Sequence, residues 1–509
     1  MMIVARRTDN SSGRNSGGVL RSVIAIALVL PVMLAGCKSE SKLPNDARTR
    51  QVDQQVRARW HKGLADLPTV KLVIVSPHNS VIREEYAWAF SLHYALEFGQ
   101  MVDVEWRDVG GGGSAFERYL FNVYSRSDTA DIDILWGGGD RTFSKLAGPF
   151  ASPGRGHPDG LLEKLNIPPN VLAQIGSPGA DNPTLFAGLP MYDKDHRWIG
   201  SVVSGFGFLC NSGNIRRCGL SQPKTWDDLG ASQFTDLVTL ADPSQSSSVA
   251  QTYMLIVQSA QDWPGGWAKL LAVLSNANRI TDSAGSAVNS PVLGDAVVAS
   301  CIDFYGLMRV AEAPDQLTYV SPVGQTTFTC DPIAILKNPP HPELARRFVD
   351  FVMSPQGQAM WALPVGSPGG PVRSVLGRLP IRRDVLAEYQ NRFVPGTTNF
   401  YDQPVTMTIS KAMAGINFGI LRQLVVSAAV ENIDLMRQAR GRLNQLQADP
   451  QTQRQYQAAL ADFIALPENV STPEKMNATA GRMNDPVEMY NITIGWREFF
   501  RQKYLRIAG

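Results

Sequence analysis

Hydrophobic and polar positions divide the 509-residue chain into four stretches. Residues 23–34 form an apolar run broken only by Pro31. Residues 38–68 are polar and charged, with few large apolar side chains before Trp60, and are expected to form a tether. From residue 71 the pattern alternates. Residues 71–75 (Lys-Leu-Val-Ile-Val) make a short apolar run of the kind buried on both faces of a sheet. Residues 81–98 follow as a helix with Arg83, Glu84, Ala87 and Ser91 on its more polar side. Residues 102–106 alternate as a strand, the glycines 110–113 turn, residues 116–124 are helical, and residues 131–136 form a third strand running into Gly137, Gly138 and Gly139. This order predicts an open parallel α/β sheet. A long strand is expected over residues 199–211. A second α/β set then opens at Thr225-Trp-Asp-Asp-Leu229, with strands at 238–241, 279–281 and 296–302 and helices ending near 258 and 276. Further strands follow residue 318, then a helix over 342–353. Residues 400–509 differ: amphipathic stretches such as 428–446 and 452–464, without a strand set, predict a helical C-terminal appendage.

Charge sharpens the reading of the N-terminus. Arg6, Arg7, Arg14 and Arg21 precede the apolar run, with Asp9 the only acid. A dozen apolar residues suit the core of a signal peptide better than a membrane span, which needs roughly 20. The run ends in Leu34-Ala35-Gly36-Cys37, which resembles the bacterial lipobox; the resemblance implies cleavage after residue 36 and a lipid anchor on Cys37. Removing residues 1–36 takes four Arg and one Asp from 48 basic and 46 acidic residues, leaving a charge near −1. The precursor's basic balance thus comes from its leader, and nothing in it points to a nucleic-acid partner. Four cysteines remain, Cys210, Cys218, Cys301 and Cys330, and an oxidising compartment would permit three pairings. The short spacing favours Cys210 with Cys218, and free buried thiols are the alternative.

Motifs for bond-making chemistry are missing. The chain has no Gly-Lys dipeptide for a phosphate-binding loop, no His-Glu-x-x-His and no Gly-x-Ser-x-Gly. Its six histidines lack ligand spacing. What recurs is a small polar turn at the carboxyl end of a strand: Ser76, His78 and Asn79; Gly138, Gly139, Asp140 and Arg141; Ser246 and Ser247; Asp282 and Ser283; Asp303 and Tyr305. Ligands of open α/β sheets bind beyond those ends, where helix amides are unpaired. Each serine could equally cap its own helix. Five such turns in one architecture favour a shared ligand cleft.

The ordered segments Val75-Ser-Pro-His-Asn79, Asp133-Ile-Leu-Trp-Gly-Gly-Gly139, Leu240-Ala-Asp-Pro-Ser-Gln-Ser246 and Thr281-Asp-Ser-Ala-Gly-Ser286 carry a family likeness, as does the run from Asn338 to the Ser354-Pro-Gln-Gly-Gln358 turn. Residues 71 to about 384 resemble the family-one extracellular solute-binding proteins of ABC importers, in their ferric-iron, polyamine and phosphonate branch. The resemblance implies a two-lobe, type II periplasmic-binding-protein fold: signal peptide 1–36, tether 37–70, lobe one 71–205 and 306–399, lobe two 206–305, and helical region 400–509. The crossovers are expected near residues 202–211 and 305–310. It implies a monomeric, lipid-anchored receptor outside the cytoplasm that hands a small molecule or ion to a membrane permease and is not an enzyme. Ferric ion (Fe3+) or a small anion such as a phosphonate is the favoured ligand, with Tyr305 as the candidate metal ligand and no resident cofactor. The alternatives are a polyamine-type cation, a cell-surface enzyme using Asp140, Asp282 or Asp303, or a receptor reporting to a sensor. The chain departs from ferric-binding members in lacking a Tyr-Tyr pair, so Tyr192, Tyr253, Tyr305 and Tyr319 could serve only if folding gathers them.

The anchor is directly testable. Cys37→Ser is expected to leave the precursor unprocessed or to release the protein from the membrane fraction, read by intact mass and fractionation. An unchanged mass and membrane partition would remove the anchor from the account.

Overall fold

The computed structural model describes residues 43–110, 113–402, 407 and 409–509, so the basic leader, its apolar run and Cys37 lie outside the described residues. The fold centres on one ten-stranded sheet. Its strands are β1 (Thr69–Val75), β2 (Met101–Arg107), β3 (Ile134–Trp136), β4 (Ile199–Asn211), β5 (Val238–Ala241), β6 (Ala277–Thr281), β7 (Val298–Ile302), β8 (Leu317–Val320), β9 (Phe328–Ile335) and β10 (Leu379–Pro380). They run β6-β5-β7-β4-β9-β3-β1-β2, with β8 and β10 also paired to β4. β1 is parallel to both β2 and β3, as the strand–helix alternation requires.

β4 joins the halves. All thirteen of its residues are buried, and at about 3.3 Å per residue it spans roughly 40 Å. Its first part, to Gly205, pairs antiparallel with β9; from Phe206 onward it pairs with β7 and β8. A side chain at Gly207 is excluded, because its Cβ would lie 2.1 Å from the Val320 carbonyl oxygen. The return crossing, expected at residues 305–310, lies later in the chain. Those residues form part of the helix Asp303–Glu312, and β8 still pairs with the far half of β4, so the chain passes back between Val320 and Phe328.

Two apolar cores flank the junction. One gathers Leu72, Ile74, Trp136, Val203, Phe348 and Trp361. The other joins Phe208, Trp226, Trp267 and Leu271 to Leu424, Trp496, Phe500 and Tyr504. The C-terminal helices are present, as expected, and pack against the second half of the sheet. They complete the second core: Trp267 and Phe500 lie 5.8 Å apart, the Trp263 indole donates to the Val470 carbonyl at 2.8 Å, and buried Arg440 donates to Asn276 and to the Gly230 carbonyl. The expected tether also gains structure. Residues Ala47–Trp60 form a helix capped by Asp46, which accepts from the Thr49 amide at 2.8 Å. Only a narrow stripe of that helix is apolar, which is why the sequence reads as polar linker; Val56 packs against Leu64, Leu67, Leu92 and Ala95.

The disulfide expectation is corrected. Cys210, Cys218, Cys301 and Cys330 are all free thiols, three buried and Cys218 exposed. Strand register explains it: Cys210 faces Val298, Cys301 faces Gly207 and Cys330 faces Val203.

Lys503 is a buried cation in the second core. It is fully buried, donates to the Ala465 carbonyl at 2.7 Å, and lies 4.5 Å from the Phe500 ring centre. Burial lowers its ammonium to about 7 from 10.5. The unfolded chain thus binds more protons between those values, and stability rises with pH across that window. Lys503→Met is expected to raise the unfolding temperature at pH 7, with the gain shrinking toward pH 10.5, as calorimetry across pH would show.

Candidate functional site

The turns after β1 and β3 build one wall. Asn79 caps the helix Ser80–Phe98, its Oδ1 accepting from the Ile82 amide at 3.0 Å, while the Ser76 hydroxyl accepts from the His78 amide. That capping drives the His78 ring inward, where it meets Trp136 edge-on at 4.7 Å and is only 7 % exposed. Neither ring nitrogen has a hydrogen-bond partner; Nε2 stands 3.5 Å from Asp331 Oδ2, at the limit of a bond. Burial lowers the His78 pKa, so the ring is neutral at pH 7. Gly137, Gly138 and Gly139 all have positive φ, and a Cβ on Gly137 would sit 2.8 Å from the His78 ring. The turn opens the helix Asp140–Ala147, where burial raises the Asp140 carboxyl and its own and the Arg141 amides oppose that rise.

The junction itself holds residues that sequence reasoning missed. Arg378, 2 % exposed, donates from Nη2 to Asp331 Oδ2 at 2.6 Å on β9 and to the Ser204 hydroxyl at 2.7 Å on β4. Its guanidinium lies 4.9 Å from the Phe304 ring centre and 5.8 Å from that of Trp361. Burial works against the Asp331 charge, but Arg378 and His78 hold that carboxyl below the usual range. Asp303, at the end of β7, accepts from the Gly205 amide at 2.6 Å and from the Phe304 amide at 2.7 Å. Burial pushes its carboxyl up to about 7, against those amides and Arg378. Two signals could have found this group. Asp331 interrupts the apolar run of β9 and needs a cation, and Arg378 stands among Leu376, Leu379 and Ile381.

The structure therefore brings His78, the glycine turn, Asp140 and Asp303 to one junction, linked by Asp331 and Arg378. Tyr305, half-buried, packs at a tilt against Phe304, with ring centres 4.2 Å apart, and faces Gly285 beside Ser283. The serine turns act first as caps. Ser246 accepts from the Val249 amide and contacts the Ser248 hydroxyl, leaving Ser247 exposed. Ser283 accepts from the Ser286 amide, and Asp282 is exposed. Folding does not pool the tyrosines: the Tyr253 hydroxyl donates to the Ala241 carbonyl, Tyr192 lies beside His196, and half-buried Tyr319 lies against Gly207. Among the described residues no group of three or more His, Cys, Asp or Glu is placed to hold a metal ion. A separate surface depression of about 490 Å³, bounded by Pro467, Asn469, Arg482, Trp496 and Phe499, borders none of the junction residues.

This geometry has relatives. Residues 177–386 match the bacterial extracellular solute-binding protein family. The chain is 30 % identical over 167 residues to the phosphoglycerate transport regulatory protein PgtC of Salmonella typhimurium, covering 32 % of this chain and 40 % of that protein. The chain thus spans about two fifths of the length of the curated relatives it matches first. It is 24 % identical over 275 residues to an uncharacterised protein of Haemophilus influenzae, covering 52 % of this chain and 69 % of the other. The periplasmic binding protein AfuA of Actinobacillus pleuropneumoniae, solved with fructose-6-phosphate, shares the fold at TM-score 0.50 and 18 % identity, over 71 % of this chain and 98 % of that one. Over residues 177–386 this chain is thus similar to the bacterial extracellular solute-binding proteins, and its mixed α/β fold is that of the type II periplasmic binding proteins.

Proposed function

We propose that this protein is the receptor of an ABC importer, held outside the cytoplasm by a lipid on Cys37, and that it captures a small phosphorylated solute between its lobes. The observation that carries the ligand class is His78: buried, its Nδ1 without a hydrogen-bond partner and its Nε2 only 3.5 Å from Asp331, beside three glycines that open a helix N-terminus. Unpaired amides at a helix start and a ring able to donate together suit a dianionic oxygen cluster. The names of two relatives agree, one concerned with phosphoglycerate transport and the other solved with a sugar phosphate. Capture needs no bond chemistry; it needs only a higher affinity for ligand in the closed form than in the open one. Ser76, Asn79, Gly138, Gly139, Asp140, Asp303 and Tyr305 belong to the same proposed site, with Ser246, Ser247, Asp282 and Ser283 on the facing lobe. The word regulatory in the name of the Salmonella relative supports a second reading, in which the liganded form reports to a membrane sensor.

A thermal-shift panel tests the ligand class. 3-Phosphoglycerate or fructose 6-phosphate at 100 times its dissociation constant should stabilise the protein by about 2.7 kcal/mol, and His78→Ala should erase the response. Ferric citrate alone acting, with loss in Tyr305→Phe, would make this an iron receptor. Spermidine alone acting, with loss in Asp303→Asn, would make it a polyamine receptor. Arg378→Met leaves Asp331 without its cation and should cost about 3–5 kcal/mol of stability.

A further inference from the structure

The family match ends at residue 386, yet the chain beyond it returns to the junction. The Met407 amide donates to the Thr326 carbonyl at 2.9 Å, in the stretch where the chain passes back between the lobes. Buried Met407 and its neighbour Ile409 pack with Phe206 and Ile302, in the cluster that also holds Phe304 and Tyr305. The C-terminal region therefore lines the junction before it joins the second core. Past that point Asn417 accepts from the Ile420 amide at 3.1 Å and starts the helix Phe418–Val425, which carries Leu421 and Leu424 into the second core. Its first residue, Phe418, packs half-buried at the edge of that core and also meets lobe one. The Arg141 guanidinium of lobe one lies over the Phe418 ring, 5.0 Å from its centre. Arg141 is the second residue of the helix that the glycine turn opens.

We propose that the C-terminal region is a clasp on the solute cleft: Phe418, carried on lobe two, holds Arg141 of lobe one across the mouth and sets how readily the lobes part. On the two-lobed reading the partners belong to different lobes. Arg141 is fixed by its short helix, and Phe418 by a helix whose apolar face is locked into the core of the other lobe. A cation over an aromatic ring at an exposed rim shifts an equilibrium by roughly two- to five-fold. The shift is small enough for a ligand to work against and large enough to change the open population. The inference rests on the two-lobed binding-protein reading and is independent of which solute is bound.

Hydrogen–deuterium exchange of the ligand-free, full-length protein tests it. Phe418→Ala and Arg141→Gln should each speed exchange in peptides covering residues 137–147 and 204–207 by about two- to five-fold, the double variant should add little, and Phe418→Trp should keep the wild-type rates. Faster exchange confined to residues 410–425 would overturn the clasp. If Phe418→Ala instead loosens the whole second core, Arg141→Gln decides, because that side chain enters neither core: no acceleration at 137–147 in that variant overturns the proposal. No ligand is present in this experiment. A failed thermal-shift panel with intact exchange effects would therefore reject the phosphorylated solute alone, and the reverse result would reject the clasp alone.

Discussion

A guanidinium buried where two lobes meet governs the rest of the molecule. Removing Arg378 from water is costly unless its protons are taken up, and the fold supplies acceptors from separate elements: a carboxylate on β9 and a hydroxyl on β4. Those strands lie side by side, so the charge pair ties the crossover to its neighbour where β4 is about to change partners. Phe304, from the far side, closes over the flat face of the cation. The same carboxylate is the nearest acceptor to His78, and the same cation opposes the rise in the Asp303 pKa. The charges at the junction thus form one balanced set, with an already paired arginine beside the His78 imidazole and the amides that open the helix Asp140–Ala147.

Fusion of the last hundred residues with the second lobe is the other organising fact. The helix Pro486–Ala508 and its neighbours place Trp496, Phe500 and Tyr504 against Trp267, and Arg440 reaches back to the Gly230 carbonyl beneath them. The same region also reaches the junction, where the Met407 amide donates to the Thr326 carbonyl.

Much of this was legible. Short apolar runs ending in small polar turns identify β1, β3 and β5, because a strand buried on both faces leaves little choice of residue. Capping residues were also visible, and Asn79, Ser246 and Ser283 perform that local role. The hidden parts share a cause. Arg378 and Asp331 are ordinary charged residues 47 positions apart, and only their common burial makes them a pair. Helical periodicity after residue 400 shows that one face is apolar without saying what covers it, so a shared core reads as an appendage. Likewise, the close approach of Cys210 and Cys218 in sequence carries no information about strand register.

The burial of β4 along its whole length bears on how the chain reaches this state. Neither half of the sheet is complete without it, and its partners β7 and β9 lie roughly a hundred residues downstream. The core that covers its second half closes only with side chains near residue 500. Pairings so distant in sequence carry a large loop-closure cost before any contact repays it, which makes assembly slow and late. A nascent chain therefore cannot finish its second lobe while its last helix is still being synthesised.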